Sequence, residues 1–470
     1  MRNLDRVWVD IYLSFILIIF ISLASTGCTQ HKRPEAPVFA SDDQDDVNES
    51  PQVDWYIDGT ASMKGFVRQH EDTPYVYFLR SIQSSLSSNA KVTYRRFGER
   101  SQKFSRLSEA SDPEFYSSSD EIFRNTDLTV AAENAGKSDH LTIIVSDLYP
   151  DRSDFEPLLK RLSTEGLGQS FVAGILGCRA EFRGIIYDIP PTRSNMPFPS
   201  HGGDARRPVY ALILGSDFQV RSLLLKARRE SNHIGAEIVS VLISPKVGNF
   251  NADDFSNSEN SALHASDFDE TDGLKQGGKS KFSRQLRLSR SARNPKLEFT
   301  AKVSFEPFEA VPADGWKMER EVHMCNYTDS SFSAFKSHSK NQDPEVLAKD
   351  QCPVTTADYE ILYQANDTSN SIINRELTVP ITLDFGKRGD SHRDVRARPG
   401  CIYVINLKLE SKDTNVIMPK WVSEFSQSRS NNFDGLKTTD LDPFLRALAA
   451  RTLNNRPATA MDVDLYIDSK

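Results

Sequence analysis

The chain has 470 residues, of which 38% are hydrophobic and 26% charged, and a formal net charge of −8 at pH 7. That length supports two or three domains with a sizeable core, while the modest apolar content implies long polar loops between the packed parts. A net negative chain has no general attraction to nucleic acid, which excludes phosphate neutralisation as its global character.

The first 28 residues decide the compartment. Arg2 and Arg6 precede an apolar run from Ile11 to Ala24, which is followed by Ser25-Thr26-Gly27-Cys28. The run is shorter than the ~20 residues a membrane-spanning helix needs and ends in small residues, the pattern of an export signal. With Gly27 before Cys28 it resembles a bacterial lipoprotein signal, which implies that Cys28 is lipidated and becomes the first mature residue. An uncleaved anchor and an ordinary secretory signal are the alternatives, and all three export the protein. Thr29, rather than an aspartate, follows the cysteine, which under that resemblance implies the outer membrane, facing the periplasm or the surface.

Export sets how the other cysteines are read. Cys178, Cys325, Cys352 and Cys401 make an even number, which in an oxidising compartment favours disulfides. Cys325 with Cys352 is the local pairing, leaving Cys178 with Cys401. The absence of a C-x-x-C pair argues against zinc.

Residues 29–50 are polar and acidic, with Pro34 and Pro37, and are expected to form a flexible tether. From 51 to 245 strands alternate with helices. Val53 to Asp58 reads as a buried strand, and Tyr75, Phe78, Leu79, Ile82 and Leu86 recur at helical spacing. Val92 to Phe97 is a strand, Leu141 to Val145 a buried strand ending in Ser146-Asp147, and Phe155 to Leu162 an amphipathic helix. Strand Phe171–Leu176, a Pro- and Gly-rich insertion over 181–204, strand Val209–Leu214, helix Val220–Arg229 and strand Glu237–Ile243 follow. This alternation predicts an α/β fold with a doubly wound, mostly parallel sheet.

Residues 246–283 are dense in Asp, Ser, Asn and Gly and read as a disordered linker or loop. Residues 284–415 carry short strand candidates and predict a second, β-rich, sandwich-like domain. Residues 416–470 add a C-terminal helix, capped by Asp442 with Pro443, and an edge strand in which Val463, Leu465 and Ile467 alternate with polar neighbours.

The chemistry concentrates at Asp58-Gly59-Thr60-Ala61-Ser62-Met63, followed by Gly65. An acid and alternating hydroxyls at the carboxyl end of a strand are oxygen ligands suited to a hard cation. Asn125-Thr126-Asp127-Leu128, with Ala131 and Ala132 after it, supplies a further hydroxyl, and Ile143-Ile144-Val145-Ser146-Asp147 a further acid. These three stretches, in this order, resemble the metal-site motifs of von Willebrand factor type A domains. The resemblance covers Pro51 to about Pro245, under half of the chain. It implies a parallel-sheet domain holding Mg2+ or Mn2+ at the sheet's carboxyl edge, with one position open for an acidic group of a partner protein. On that resemblance Thr60 and Ser62 bind directly, Thr126 joins directly or on ligand binding, and Asp58 and Asp147 act mainly through water. Thr129 is the fallback for Thr126. Three positions depart from the family pattern: Gly59 and Ala61 stand in swapped order, Arg124-Asn125 replace paired glycines, and Leu148 replaces the glycine after Asp147.

Competing chemistries lack their residues. A D-x-D-G-T phosphatase needs an acid where Tyr56 stands, and Gly273 to Ser280, which match a phosphate-binding loop letter for letter, follow an acidic stretch rather than a buried strand. No nucleotide site is therefore expected. Arg284, Arg287, Arg290 and Arg293 read as a solvated segment balancing the acidic stretch before them. No G-x-S-x-G or H-E-x-x-H occurs. The sequence thus points to an exported, lipid-anchored protein that is not an enzyme and binds another protein through a divalent cation. A cell-envelope scaffold with a metal-free domain of the same type is the alternative, and a metal-dependent hydrolase the third.

Overall fold

A computed structural model describes residues 51–117, 120–135, 140–149, 155–167, 171–189, 194–198, 205–234, 237–251, 263–264, 282–288, 296–326, 362–363, 372, 374–384, 401–428, 433 and 435–469. The signal, Cys28 and the tether lie outside them, as do Cys352, most of 246–283 and the stretch 273–280.

Seven strands form the sheet that carries the site. They are β1 (Gln52–Asp58), β2 (Lys91–Phe97), β3 (Ser101–Lys103), β4 (His140–Ser146), β5 (Val172–Glu181), then, after the hairpin strands β6 (Gly184–Ile189) and β7 (Ser194–Phe198), β8 (Arg206–Gly215) and β9 (Ile238–Ile243). Their order is β3-β2-β1-β4-β8-β5-β9. Strand β1 runs parallel to β2 and β4, and every other pairing in the sheet is antiparallel. The mostly parallel, doubly wound sheet expected from the alternation is therefore replaced by a mixed one. The cause is the stretch at 181–204: its described part is the β6–β7 hairpin rather than a helix, so β5 returns as β8 from Glu181↔Arg206 to Val172↔Gly215. A hairpin connection reverses direction, whereas a helical crossover preserves it. Strand–helix alternation does not reveal that β8 slots between β4 and β5.

Helices cover both faces. Helix α1 (Pro74–Ser85) starts at Thr73, whose hydroxyl accepts from the Val76 N–H, with Pro74 fixing the first turn. Its Tyr75, Phe78, Leu79 and Ile82 pack with Val53, Trp55 and Ile57 of β1. Two short helices follow, α2 (Leu128–Ala131) and α3 (Glu156–Thr164), and then α4 (Asp217–Ile234) lies beside α1 on the same face. The opposite face, marked by Tyr56, Ile144, Ile175 and Leu212, is covered by α3 and by two helices from the far end of the chain, α5 (Lys420–Phe425) and α6 (Leu441–Asn455).

Specific contacts seat that end. Phe155 stacks on Phe444 at 4.2 Å, Tyr210 Oη lies 3.0 Å from Thr438 Oγ1, and Trp421 Nε1 donates to Ser240 O at 2.9 Å. Leu441, Phe444, Leu445 and Leu448 of α6 are fully buried or nearly so, and each such side chain contributes about 1.5–3 kcal/mol. The C-terminal helix thus closes the α/β layer.

Two further multi-stranded sheets follow, besides the short pairs Val311–Pro312 with Val416–Ile417 and Ser426–Gln427 with Thr438–Thr439. One orders Asn249–Asn251, Lys296–Ser304, Glu376–Asp384 and Leu362–Tyr363; the other Leu263–His264, Phe282–Leu288, Ala458–Ser469, Cys401–Ser411 and Trp316–Asn326. Val303, Leu377 and Val379 from the first and Trp316, Leu407 and Met461 from the second join the core that also holds Tyr56 and α6. The core therefore runs across position 245. The last strand is internal rather than the expected edge, parallel to Phe282–Leu288 and antiparallel to Cys401–Ser411. Alternating residues report which faces a strand presents, not how many neighbours it has.

Candidate cation-binding site

Strands β1 and β4 end side by side, with Ile57 opposite Val145. The parallel register therefore brings Asp58 next to Ser146, and Asp147 one residue further. Asp58 is fully buried, and four neutral donors surround its carboxylate. Oδ1 accepts from the Thr60 N–H at 3.0 Å and the Thr60 hydroxyl at 2.8 Å; Oδ2 accepts from Thr126 Oγ1 at 3.1 Å and Ser146 Oγ at 2.9 Å. Among the described residues no basic side chain hydrogen-bonds to this carboxylate, and Arg96, beside Gly59, acts on it through charge alone. Burial pushes the Asp58 carboxyl above its ordinary range, and the hydroxyl and N–H donors oppose that shift.

The hydroxyls form their own cluster. Thr60 Oγ1 lies 3.0 Å from Ser62 Oγ and 3.2 Å from Thr126 Oγ1. When Asp58 is ionised, Thr60 and Thr126 both give it their protons, so the contact between their oxygens holds lone pairs on both sides. Two acceptors forced together in that way are what a cation relieves. The spacing also fits: six oxygens about 2.1 Å from Mg2+ in an octahedron have neighbours about 3.0 Å apart.

Thr60 and Thr126 do not cap the helices they precede. Thr60 precedes the 3-10 turn Ala61–Phe66 without a side-chain cap. Helix α2 is capped by Asp127, whose Oδ1 accepts from the Thr129 N–H at 2.9 Å and the Thr129 hydroxyl at 2.6 Å. Thr126 is thus left for Asp58, and Thr129 is occupied elsewhere.

Thr60, Ser62, Thr126 and Asp147 line one cleft of about 360 Å³, together with Tyr116, Tyr149, Tyr187 and Arg207. Asp58 stands behind it and acts on it through the hydroxyls it holds. Asp147 is 2% exposed; its Oδ1 accepts from the Tyr149 N–H at 3.2 Å, and its Oδ2 faces Arg207 Nη2 at 3.6 Å. Burial raises the Asp147 carboxyl to about 6, with Arg207 pulling down and Asp58 pushing up.

The three departures from the family pattern have local explanations. Arg96 lies against Gly59, donating from Nη2 to Gly59 O at 3.0 Å, and a Cβ there would meet Arg96 Nε at 2.3 Å. The glycine is needed beside the arginine. Arg124 has a 70% exposed side chain and turns outward to Glu121 at 3.5 Å, leaving the hydroxyl cluster clear. The close approach of its loop to β2 is permitted by Gly98 instead, where a Cβ would meet Ile122 O at 2.4 Å. Leu148 adopts the left-handed conformation that glycine favours, φ 51°, and its N–H donates to Ser146 Oγ at 3.1 Å. That strain, about 1–2 kcal/mol, is compensated by complete burial of the leucine.

No family model, curated protein or solved structure matches this chain.

Of the five residues singled out from the sequence, Thr60, Ser62, Thr126 and Asp147 line one cleft and Asp58 stands behind it. Ser146 and Arg207 were missed. The serine lay inside a recognised stretch and follows the same logic of a hydroxyl at a strand end, whereas Arg207, at the start of β8, belongs to no motif. Among the described residues no group of three or more His, Cys, Asp or Glu side chains converges; the donors here are mainly hydroxyls. Cys178 is a free, buried thiol on β5, raised to about 12 by burial, so its expected pairing with Cys401 is not formed. Its strand position places it among Leu176, Ala180 and α4 in the apolar core, where a small sulfur side chain packs as a hydrophobe. The side chains of Cys325 and Cys401 lie outside the described residues.

Proposed function

We propose that this chain is an exported, lipid-anchored protein that binds an acidic group of another protein through a divalent cation, Mg2+ or Mn2+. Thr60, Ser62 and Thr126 would hold the ion, Asp58 would orient them from behind, and Asp147 would complete the charge. The observation that carries the reading is the convergence of the Thr60, Ser62 and Thr126 hydroxyl oxygens at 3.0–3.2 Å over the buried Asp58 carboxylate. The bound ion would supply a positive centre at the cleft mouth; the chain's part is to present lone pairs, exclude competing protons and leave room for the partner. The resemblance to von Willebrand factor type A motifs supports the same reading, as does the placement of the site at the ends of two parallel strands.

One observation favours the metal-free scaffold. Arg207 already faces Asp147, so a guanidinium can serve as its counter-ion. Calorimetric titration of the detergent-extracted full chain with Mg2+ and Mn2+ separates the two. Saturable heat that disappears in Asp58→Ala supports the cation site; no heat, or heat unchanged by that substitution, leaves the scaffold reading.

A further inference from the structure

Arg207 is the least satisfied charge among the described residues of the cleft. It is 4% exposed, its guanidinium stacks 4.7 Å over the Phe182 ring, and Nε and Nη1 are buried without a hydrogen-bond partner. Its Nη2 stands 3.6 Å from Asp147 Oδ2, beyond hydrogen-bonding reach. A buried guanidinium normally has its fork of donors filled, because an unmade bond to a charged group costs more than a neutral one. Asp147 gives Arg207 charge but not geometry, and the same cleft holds the hydroxyl cluster.

We infer that Arg207 is a binding residue for the ligand, taking a carboxylate of the partner on its open donors while the ion at Thr60 and Ser62 takes the other side of the same group. The inference rests on the cation reading above and adds a second anchor from a different strand. A planar carboxylate suits a guanidinium fork, and the acids in and behind the cleft, Asp58, Asp120, Glu121 and Asp147, oppose the second charge of a phosphate dianion. Tyr187 and Asn195, from the β6–β7 hairpin, line the same cleft, so the stretch that reverses β5 into β8 also brings both Arg207 and part of the cleft wall to the site.

The test compares wild type, Arg207→Gln and Arg207→Lys by calorimetry and thermal shift on the full chain, with and without Mg2+. The probes are acetate, its neutral isostere acetamide, inorganic phosphate and a capped tripeptide with one central glutamate. The expected result is saturable acetate binding, none by acetamide, phosphate weaker than acetate, and the tripeptide at least as tight. Arg207→Gln weakens acetate at least tenfold while the Mg2+ heat persists. Arg207→Lys keeps the charge without the fork and weakens acetate about tenfold; it decides alone if the glutamine variant does not fold. Acetate binding that is absent from wild type or equal in both variants overturns the inference, and phosphate tighter than acetate overturns the choice of ligand. A tripeptide that fails where acetate binds overturns the protein partner in favour of a small acid. If Mg2+ gives no heat yet acetate binding still depends on Arg207, the cation reading fails and this one stands.

Discussion

Two aspartates of β1, Asp54 and Asp58, are both buried, four residues apart on the same face of the sheet. Asp54 is provided for: His140 Nδ1 lies 3.0 Å from one carboxylate oxygen and Arg95 Nε 3.9 Å from the other. Asp58, at the other end of the strand, accepts its hydrogen bonds among the described residues from three hydroxyls and one backbone N–H, with Arg96 acting on it through charge alone. The difference separates two uses of a buried acid. A carboxylate facing basic side chains has its counter-charge built in and serves the fold. One that faces hydroxyls polarises them and turns their lone pairs toward a cleft, as groups behind metal ligands do.

Exchanging the acids tests that contrast most strongly. Asp58→Asn is expected to abolish Mg2+ and Mn2+ heat, whereas Asp54→Asn leaves it intact and lowers stability by about 1–3 kcal/mol, read by denaturant unfolding. If both variants bind metal alike, the two acids do not differ in role. Thr60→Val keeps shape and removes the oxygen nearest Asp58; metal affinity is expected to fall about 100-fold, and Ser62→Ala, at the more open edge, about tenfold.

Acidity sharpens the comparison further. The Asp147 carboxyl sits at about 6, above its ordinary 3.8, so the folded state holds its proton more tightly than the unfolded one. The stability this confers is full below about pH 4 and is lost as pH rises through 6. Metal binding runs the other way, because the ion needs the deprotonated acid: affinity is expected to fall about tenfold per pH unit below 6. Asp147→Asn should flatten both profiles, and a wild-type affinity unchanged from pH 7 to pH 5 would remove Asp147 from the site. The smallest effect concerns support. Gly59→Ala drives a methyl group into Arg96 and is expected to cost about 1–3 kcal/mol of stability, while metal affinity changes little if the hydroxyls hold their places.

The parts legible in the sequence were those written in local pattern. The period of two in Val53 to Ile57, the period of 3.6 in Tyr75 to Ile82 and the alternating hydroxyls of Thr60 and Ser62 each carry their geometry within a few residues. Thr126 and Asp147 were placed by resemblance, and the fold delivers them to Asp58 from the loop before α2 and the end of β4. What was not legible depends on pairing across distance. Nothing in Arg206 to Gly215 announces that it enters beside β4 antiparallel, because its burial on both faces suits either direction. The role of α6 was hidden likewise: Leu441 to Leu448 show an apolar stripe but not the sheet face, far earlier in the chain at Tyr56, Ile144, Ile175 and Leu212, that it covers. Arg207 illustrates the limit most clearly, since its place beside Asp147 exists only because the β6–β7 hairpin turns β5 back as β8.

The central claim is that the hydroxyls beside Asp58 hold a divalent ion. Crystals grown with Mn2+, with anomalous scattering recorded above the manganese edge, test it most directly. The predicted result is one anomalous peak ~2 Å from both Thr60 Oγ1 and Ser62 Oγ, with Asp147 facing it. A map with no peak at that position, and Arg207 filling the space beside Asp147, would contradict the account.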